Sequence, residues 1–272
     1  MKFAVNYSNK TKALYEKGKI NMDLFKCPDY DFDPELIESA RGQAPIYIHF
    51  PLNIGQGRLR EVEWDNIHRQ MEETHTPYVN LHLVGYKQDF PDDQEKGTQE
   101  FKQDYIEAIL MELEAPLKEF SPTQIILENV VWRGPEGKML KTAIEPEVLS
   151  TIVKESGCGL LLDLAHAQMT AQYTGESVYD YLERLPTKHL RELHITGIQA
   201  DGTGKLRDSM PMTEEDWRLV GWALSNIRKG KWKCPWVVSF EYGGEGPLFE
   251  WRTDQQVLAR QVPKLYRMVR DI

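Results

Sequence analysis

The stretch "CGLLLDLAHA", residues 158–167, sets three consecutive leucines, Leu160 to Leu162, ahead of an aspartate, Asp163, with a histidine, His166, three positions further on. An apolar run without polar alternation reads as a strand covered on both faces, the kind that builds parallel sheets. A carboxylate at the end of such a strand sits where water is scarce, and burying it without a partner costs several kcal/mol. Either the N–H groups of a following helix or a cation must hold Asp163.

Working outward, the same kind of run recurs as "KFAVNY" (2–7), "PIYIHF" (45–50), "YVNLHL" (78–83), "QIILEN" (124–129), "RELHIT" (191–196) and "WVVSFEY" (236–242). Between these lie polar segments of helical period at 61–75, 97–120, 145–156 and 178–185. A further helix starts near 213, where Thr213 and Asp216 have capping-box spacing and Trp217, Val220, Leu224 and Ile227 share one face. Strand then helix, repeated, predicts an α/β chain with a parallel sheet. Seven strands are readable, and "GKLRDSM" (204–210) is the candidate for an eighth.

Eight such units in 272 residues give roughly 34 residues each, the size of a TIM-barrel repeat. The competing architecture, a doubly wound open sheet, carries a glycine-rich phosphate loop after its first strand, and "AVNYSNKTK" (4–12) has no glycine. With no linker-like stretch or internal repeat, the expectation is one domain over 1–272: a single (β/α)8 TIM barrel with its site at the C-terminal ends of the strands.

The strand ends carry the chemistry. Successive runs finish in His49, His82, Glu128, Asp163, His194 and Glu241, separated by 33, 46, 35, 31 and 47 residues. Singly, a strand histidine is most simply a structural hydrogen-bonding group and a carboxylate after a strand a helix cap. No structural rule makes six runs in succession stop in His, Glu or Asp. Three carboxylates meeting at one barrel mouth would repel by roughly 4 kcal/mol per pair at about 4 Å and an effective dielectric near 20, which a bound cation relieves. Imidazole and carboxylate without thiolate suit Zn, Mn, Fe or Co. His166, and Asp208 in "KLRDSM", are further candidate ligands or orienting residues. His68 and His75, within a polar helix pattern, read as surface residues and His189, ahead of a strand, as structural, while Trp132, Arg133, Tyr242 and Trp251 read as rim or core residues able to line a pocket.

Composition narrows the function classes. A net charge of −9 disfavours a nucleic-acid binder that relies on phosphate contacts. Cys27, Cys158 and Cys234 fit neither a disulfide framework nor a thiolate metal site, and Cys158 and Cys234, each before an apolar run, read as buried small hydrophobes. The absence of a long apolar run or secretory leader predicts a cytoplasmic protein without a membrane span.

With these residues in place, the chain resembles the xylose-isomerase-like TIM-barrel superfamily. Glu128, Asp163, His194 and Glu241 match in order and strand position the Glu, Asp, His and Glu that bind one metal in its sugar epimerases and in endonuclease IV. His49 and His82 match the additional histidines that hold a second metal in endonuclease IV, with Glu128 bridging. The segment "ESGCGLLLDLAHAQMTAQYTGESVYDYLERLPTKHLRELHITG" (155–197), with "PIYIHFPLNIGQG" and "ILENV", is similar to the multinuclear iron enzymes that include the methanobactin-biosynthesis oxidase. That family usually has two asparagines where this chain has Ala165 and His166, a pattern closer to endonuclease IV. Both relatives carry a histidine two residues after the aspartate at 208, where this chain has Met210, and a thioether is a poor ligand for a hard divalent ion.

The resemblance implies a centre of two or three divalent ions (Fe, Zn or Mn) on His49, His82, Glu128, Asp163, His166, His194, Asp208 and Glu241, with Glu128, Glu241 and His166 as candidate catalytic groups. It implies a peptide or small-molecule substrate and, for the iron enzymes, oxidation of precursor-peptide cysteines with a partner protein. Sugar isomerisation or epimerisation, which needs only the Glu–Asp–His–Glu set, and two-metal phosphodiester hydrolysis are the competing chemistries. A structural or purely binding role is the non-catalytic reading, disfavoured because structural metal sites are closed four-coordinate cages.

Overall fold

The computed structural model describes residues 1–28, 34–90, 97–246 and 249–271. In chain order the elements are β1 (Lys2–Asn6), α1 (Asn9–Glu16), β2 (Leu24–Cys27), α2 (Pro34–Arg41), β3 (Ile46–Ile48), β4 (Asn53–Ile54), α3 (Trp64–Thr74), β5 (Val79–Leu83) and α4 (Gln99–Leu113). They continue as β6 (Ile125–Glu128), α5 (Pro146–Ser156), β7 (Gly159–Asp163), α6 (Leu164–Thr174), α7 (Val178–Arg184), β8 (Leu190–Ile195), β9 (Gly197–Ala200), β10 (Leu206–Met210), α8 (Glu214–Arg228), β11 (Val237–Phe240) and α9 (Gln255–Arg270). All seven runs read from the sequence are strands, and β2, β6, β7 and β11 are buried along their whole length, as unbroken apolar strings in a parallel sheet require.

The chain forms two compact units: Met1–His49 with Gln70–Thr76 and Arg191–Ile272, and Phe50–Arg69 with Pro77–Leu190. In the first, the strand order is β3-β2-β1-β11-β8. The first strand lies beside the last in parallel register, Lys2 against Val237 and Val5 against Phe240. Ala4, Leu24, Tyr47 and Val237 form one buried cluster there. In the second unit the order is β7-β6-β5-β4, again parallel, with His82 in register with Glu128. Val84, Val130, Trp132 and Ile144 make a buried cluster in that unit. A doubly wound sheet reverses its strand order at a switch point. Here neighbours follow chain order and the last strand meets the first, the winding of a (β/α)8 ring.

The eighth strand is not where the sequence placed it. Residues 206–210 do form a strand, β10, but it pairs antiparallel with β9 in a separate two-stranded hairpin. Gly197 starts this hairpin because a Cβ there would come within 2.2 Å of the Pro211 carbonyl oxygen. The parallel sheet instead takes β2, "LFKC", between β1 and β3. The cysteine reading also needs correction: Cys27 and Cys158 are buried, but Cys234 is exposed. It lies in the connection between α8 and β11; burial of Cys27 and Cys158 pushes both thiols up from their ordinary range.

The expected helix at 213 begins with a full capping box: Thr213 N–H donates to Asp216 Oδ2 at 2.7 Å and Asp216 N–H to Thr213 Oγ1 at 3.4 Å. Val220, Leu224 and Ile227 are buried as the periodicity requires, while Trp217 sits at the edge under the Lys264 ammonium. Among the described residues no helix is long and apolar enough to cross a membrane.

Candidate metal centre

The six strand-end residues all fall at, or one position from, the C-terminal end of a parallel strand: His49 after β3, His82 in β5, Glu128 closing β6, Asp163 closing β7, His194 in β8 and Glu241 after β11. Each unit holds its own set.

In the unit with β5, β6 and β7, Glu128 and Asp163 are both 1% exposed. His82 Nε2 lies 3.2 Å from Glu128 Oε2, while His82 Nδ1 is 3.0 Å from the Leu52 carbonyl. A carbonyl can only accept, so this contact puts the proton on Nδ1 and leaves Nε2 with a lone pair facing the carboxylate side. His166 is arranged alike, with Nδ1 2.8 Å from the Asn129 carbonyl. The question posed by Asp163 has a two-part answer. Its Oδ1 accepts from His166 N–H at 2.8 Å and caps α6. Asn129 clamps its backbone, accepting from Asp163 N–H at 2.8 Å and donating to Asp163 O at 2.9 Å. Oδ2 lies 3.8 Å from His166 Nδ1 and is the oxygen that capping does not use.

In the unit with β8 and β11, His194 is 1% exposed. Its Nδ1 lies 2.9 Å from Glu241 Oε1, and its Nε2 lies 2.7 Å from Glu192 Oε1. Glu192 in turn accepts from the Tyr47 hydroxyl at 2.8 Å. Burial, with the Glu192 charge beside it, raises the Tyr47 phenol well above its ordinary value, so it stays a donor. This is the carboxylate–histidine relay that orients metal-binding imidazoles. His49 stands 5.2 Å from His194, ring centre to ring centre, and His49, Glu192 and His194 offer ligand atoms within 4.8 Å of one another. Sequence reasoning passed over Glu192, although it sits two residues before His194 and so on the same face of β8. It also passed over Lys26 in β2, whose ammonium contacts Glu241 Oε1.

The remaining candidates separate. Asp208 Oδ1 is 3.6 Å from Arg252 Nη1, which also donates to the Asp208 carbonyl at 2.7 Å. Trp132 is buried, and Tyr242 is buried with its hydroxyl donating to the Arg252 carbonyl, so both are packing residues, whereas Trp251 is exposed. His68 stacks on Phe120 at the surface and His75 is exposed, as expected.

The donor set fits a divalent ion. It is imidazole and carboxylate throughout, with Glu128, Asp163 and His194 buried, and one ring nitrogen of each of His82, His166 and His194 is already engaged. Such prior engagement fixes the tautomer and leaves one nitrogen for a cation.

Comparison with known proteins identifies relatives of the chain. A model of the RiPP precursor modification enzyme MbnB/TglH/ChrH family matches residues 33–232. A UPF0276 protein of Rhizobium meliloti is 29% identical over 124 residues, 42% of this chain and 40% of that protein, and one of Paraburkholderia phytofirmans is 41% identical over 56 residues, 21% and 18%. The matched stretches thus span less than half the length of these relatives. Among solved structures, a D-psicose 3-epimerase (TM-score 0.57, 14% identity, 100% of this chain and 99% of that one) is similar in fold. So is the 3-keto-D-glucoside 4-epimerase of E. coli (0.55, 12%, 98% and 99%). At such identities the likeness concerns architecture alone, that of a TIM barrel. By its match over 33–232, together with this fold, the chain belongs to the MbnB/TglH/ChrH family of RiPP precursor modification enzymes.

Proposed function

We propose that the chain is a divalent-metal-dependent oxidase of a RiPP precursor peptide, acting on a cysteine side chain with a partner protein presenting the peptide. His49, His82, Glu128, Asp163, His194 and Glu241 are the residues that would hold the ions. The observation that carries the reading is the pairing of imidazole with carboxylate at the strand ends, His82 Nε2 3.2 Å from Glu128 Oε2 and His194 Nδ1 2.9 Å from Glu241 Oε1, with the other ring nitrogen of each histidine already engaged.

Bound ions would supply a Lewis acid for a substrate thiolate and, as iron, a redox path by which dioxygen would accept the electrons the thiolate gives up. The chain's own groups hold and move protons. His166, anchored through Nδ1 on the Asn129 carbonyl, exchanges a proton at Nε2. Glu128 and Glu241 are the carboxylates able to take one from substrate.

Elemental analysis of protein purified under reducing, anaerobic conditions tests this. Two or three ions per chain, chiefly iron, are expected in the wild type and at least one fewer in Glu128→Gln. Full occupancy by zinc alone, or a single ion, overturns it. A sugar epimerase would instead keep full activity on a sugar in His49→Ala and His82→Ala.

A further inference from the structure

Lys26 occupies in β2 the same place that His82 occupies in β5 and His194 in β8, the position before the last strand residue. It is in register with Asn6 on one side and Tyr47 on the other, and it is only 9% exposed. A lysine is rarely buried without an anion. Here the anion is Glu241: the Lys26 ammonium contacts Glu241 Oε1, the same oxygen that lies 2.9 Å from His194 Nδ1. His194 Nδ1 is the nitrogen left over once Glu192 has engaged Nε2. The ammonium therefore sits on the oxygen that, with that nitrogen, forms the proposed ligand pair.

We propose that Lys26 is the exchangeable counter-cation of Glu241: a divalent ion arriving at His194 and Glu241 displaces it. This deepens the metal reading above and rests on it. A monovalent ammonium within bonding distance of a ligand oxygen lies only a few ångströms from any ion on that oxygen, and in a water-poor strand end the two cations repel strongly. One carboxylate oxygen cannot serve both at full strength. Lys26 thus keeps a buried carboxylate neutralised before loading and sets the threshold an ion must exceed. Weakly binding ions such as Mg²⁺ fail that threshold sooner than later first-row ions do.

The test is Mn²⁺ binding to full-length protein, followed by calorimetry and by the electron paramagnetic resonance of free Mn²⁺, for wild type, Lys26→Met, Lys26→Gln and Glu241→Gln. Lys26→Met and Lys26→Gln should bind the ion at this position at least about tenfold more tightly, with an unchanged number of ions. Crystals of the wild type grown with and without Mn²⁺ should show the Lys26 ammonium on Glu241 only in the metal-free form, a readout that needs no variant. Unchanged or weaker binding in folded Lys26→Gln, or a Lys26–Glu241 contact that persists in the loaded crystal, overturns the proposal. If Glu241→Gln keeps the wild-type count and affinity, Glu241 is no ligand and the metal reading itself fails at this position, whatever Lys26 does.

Discussion

Glu192 shows how a residue that touches no substrate decides what a neighbour can do. Its carboxylate takes His194 Nε2 at 2.7 Å and the Tyr47 hydroxyl at 2.8 Å, and so dictates that His194 presents Nδ1. Replacing it by glutamine removes the charge while keeping the shape. Glu192→Gln is expected to lower affinity for the ion on His194 by about 10–100-fold, with the cooperative unfolding of the metal-free protein retained. Competition against a chromogenic chelator measures this, and equal affinity in wild type and variant would remove Glu192 from the site. At this scale the sequence was partly legible. His49, His82, Glu128, Asp163, His194 and Glu241 announced themselves by ending apolar runs. Glu192 did not, because it lies inside its strand, and Lys26 did not, because its strand is four residues long.

The β7–α6 corner is the element on which the reading began, and it is held by a side chain from another strand end. Asn129 makes two hydrogen bonds to the backbone of Asp163, closing the ladder where β7 turns into α6. In Asn129→Ala the buried Asp163 N–H loses its acceptor, for an expected cost of about 1–3 kcal/mol, read as a lower denaturant midpoint at unchanged slope. A change under a few tenths of a kcal/mol would mean that the corner is held elsewhere. Elements with long apolar strings or paired caps, such as β7 and α8, could be read from sequence because their local signals agree with their burial. The misplaced eighth strand shows the opposite case. "KLRDSM" has strand character but its polar residues suit a hairpin with β9, whereas "LFKC" is buried yet too short, with a lysine inside, to register as an apolar run.

At the scale of the molecule, metal binding and folding are linked. An ion that binds the native chain but not the unfolded one adds stability by mass action, about 2.7 kcal/mol at a hundredfold excess over its dissociation constant. Wild type loaded with Fe²⁺ or Mn²⁺ should therefore melt several degrees above the chelated protein, and Glu128→Gln should lose most of that rise; a thermal scan with no metal-dependent shift in the wild type would count against buried ligation. The discontinuous make-up of the first unit, drawn from both ends of the chain, was not visible in the sequence, since no local pattern tells β1 that its neighbour is β11.

That pairing of Lys2–Val5 with Val237–Phe240 has a consequence for the birth of the protein. On the ribosome, at about 5–20 residues per second, the first strand waits roughly 10–50 s for its mate to be synthesised. Throughout that interval one row of its backbone amides and carbonyls stays open to other nascent chains. A chain that stopped before residue 237 would leave that row open for good, so β1 becomes safe from aggregation only once β11 has been made.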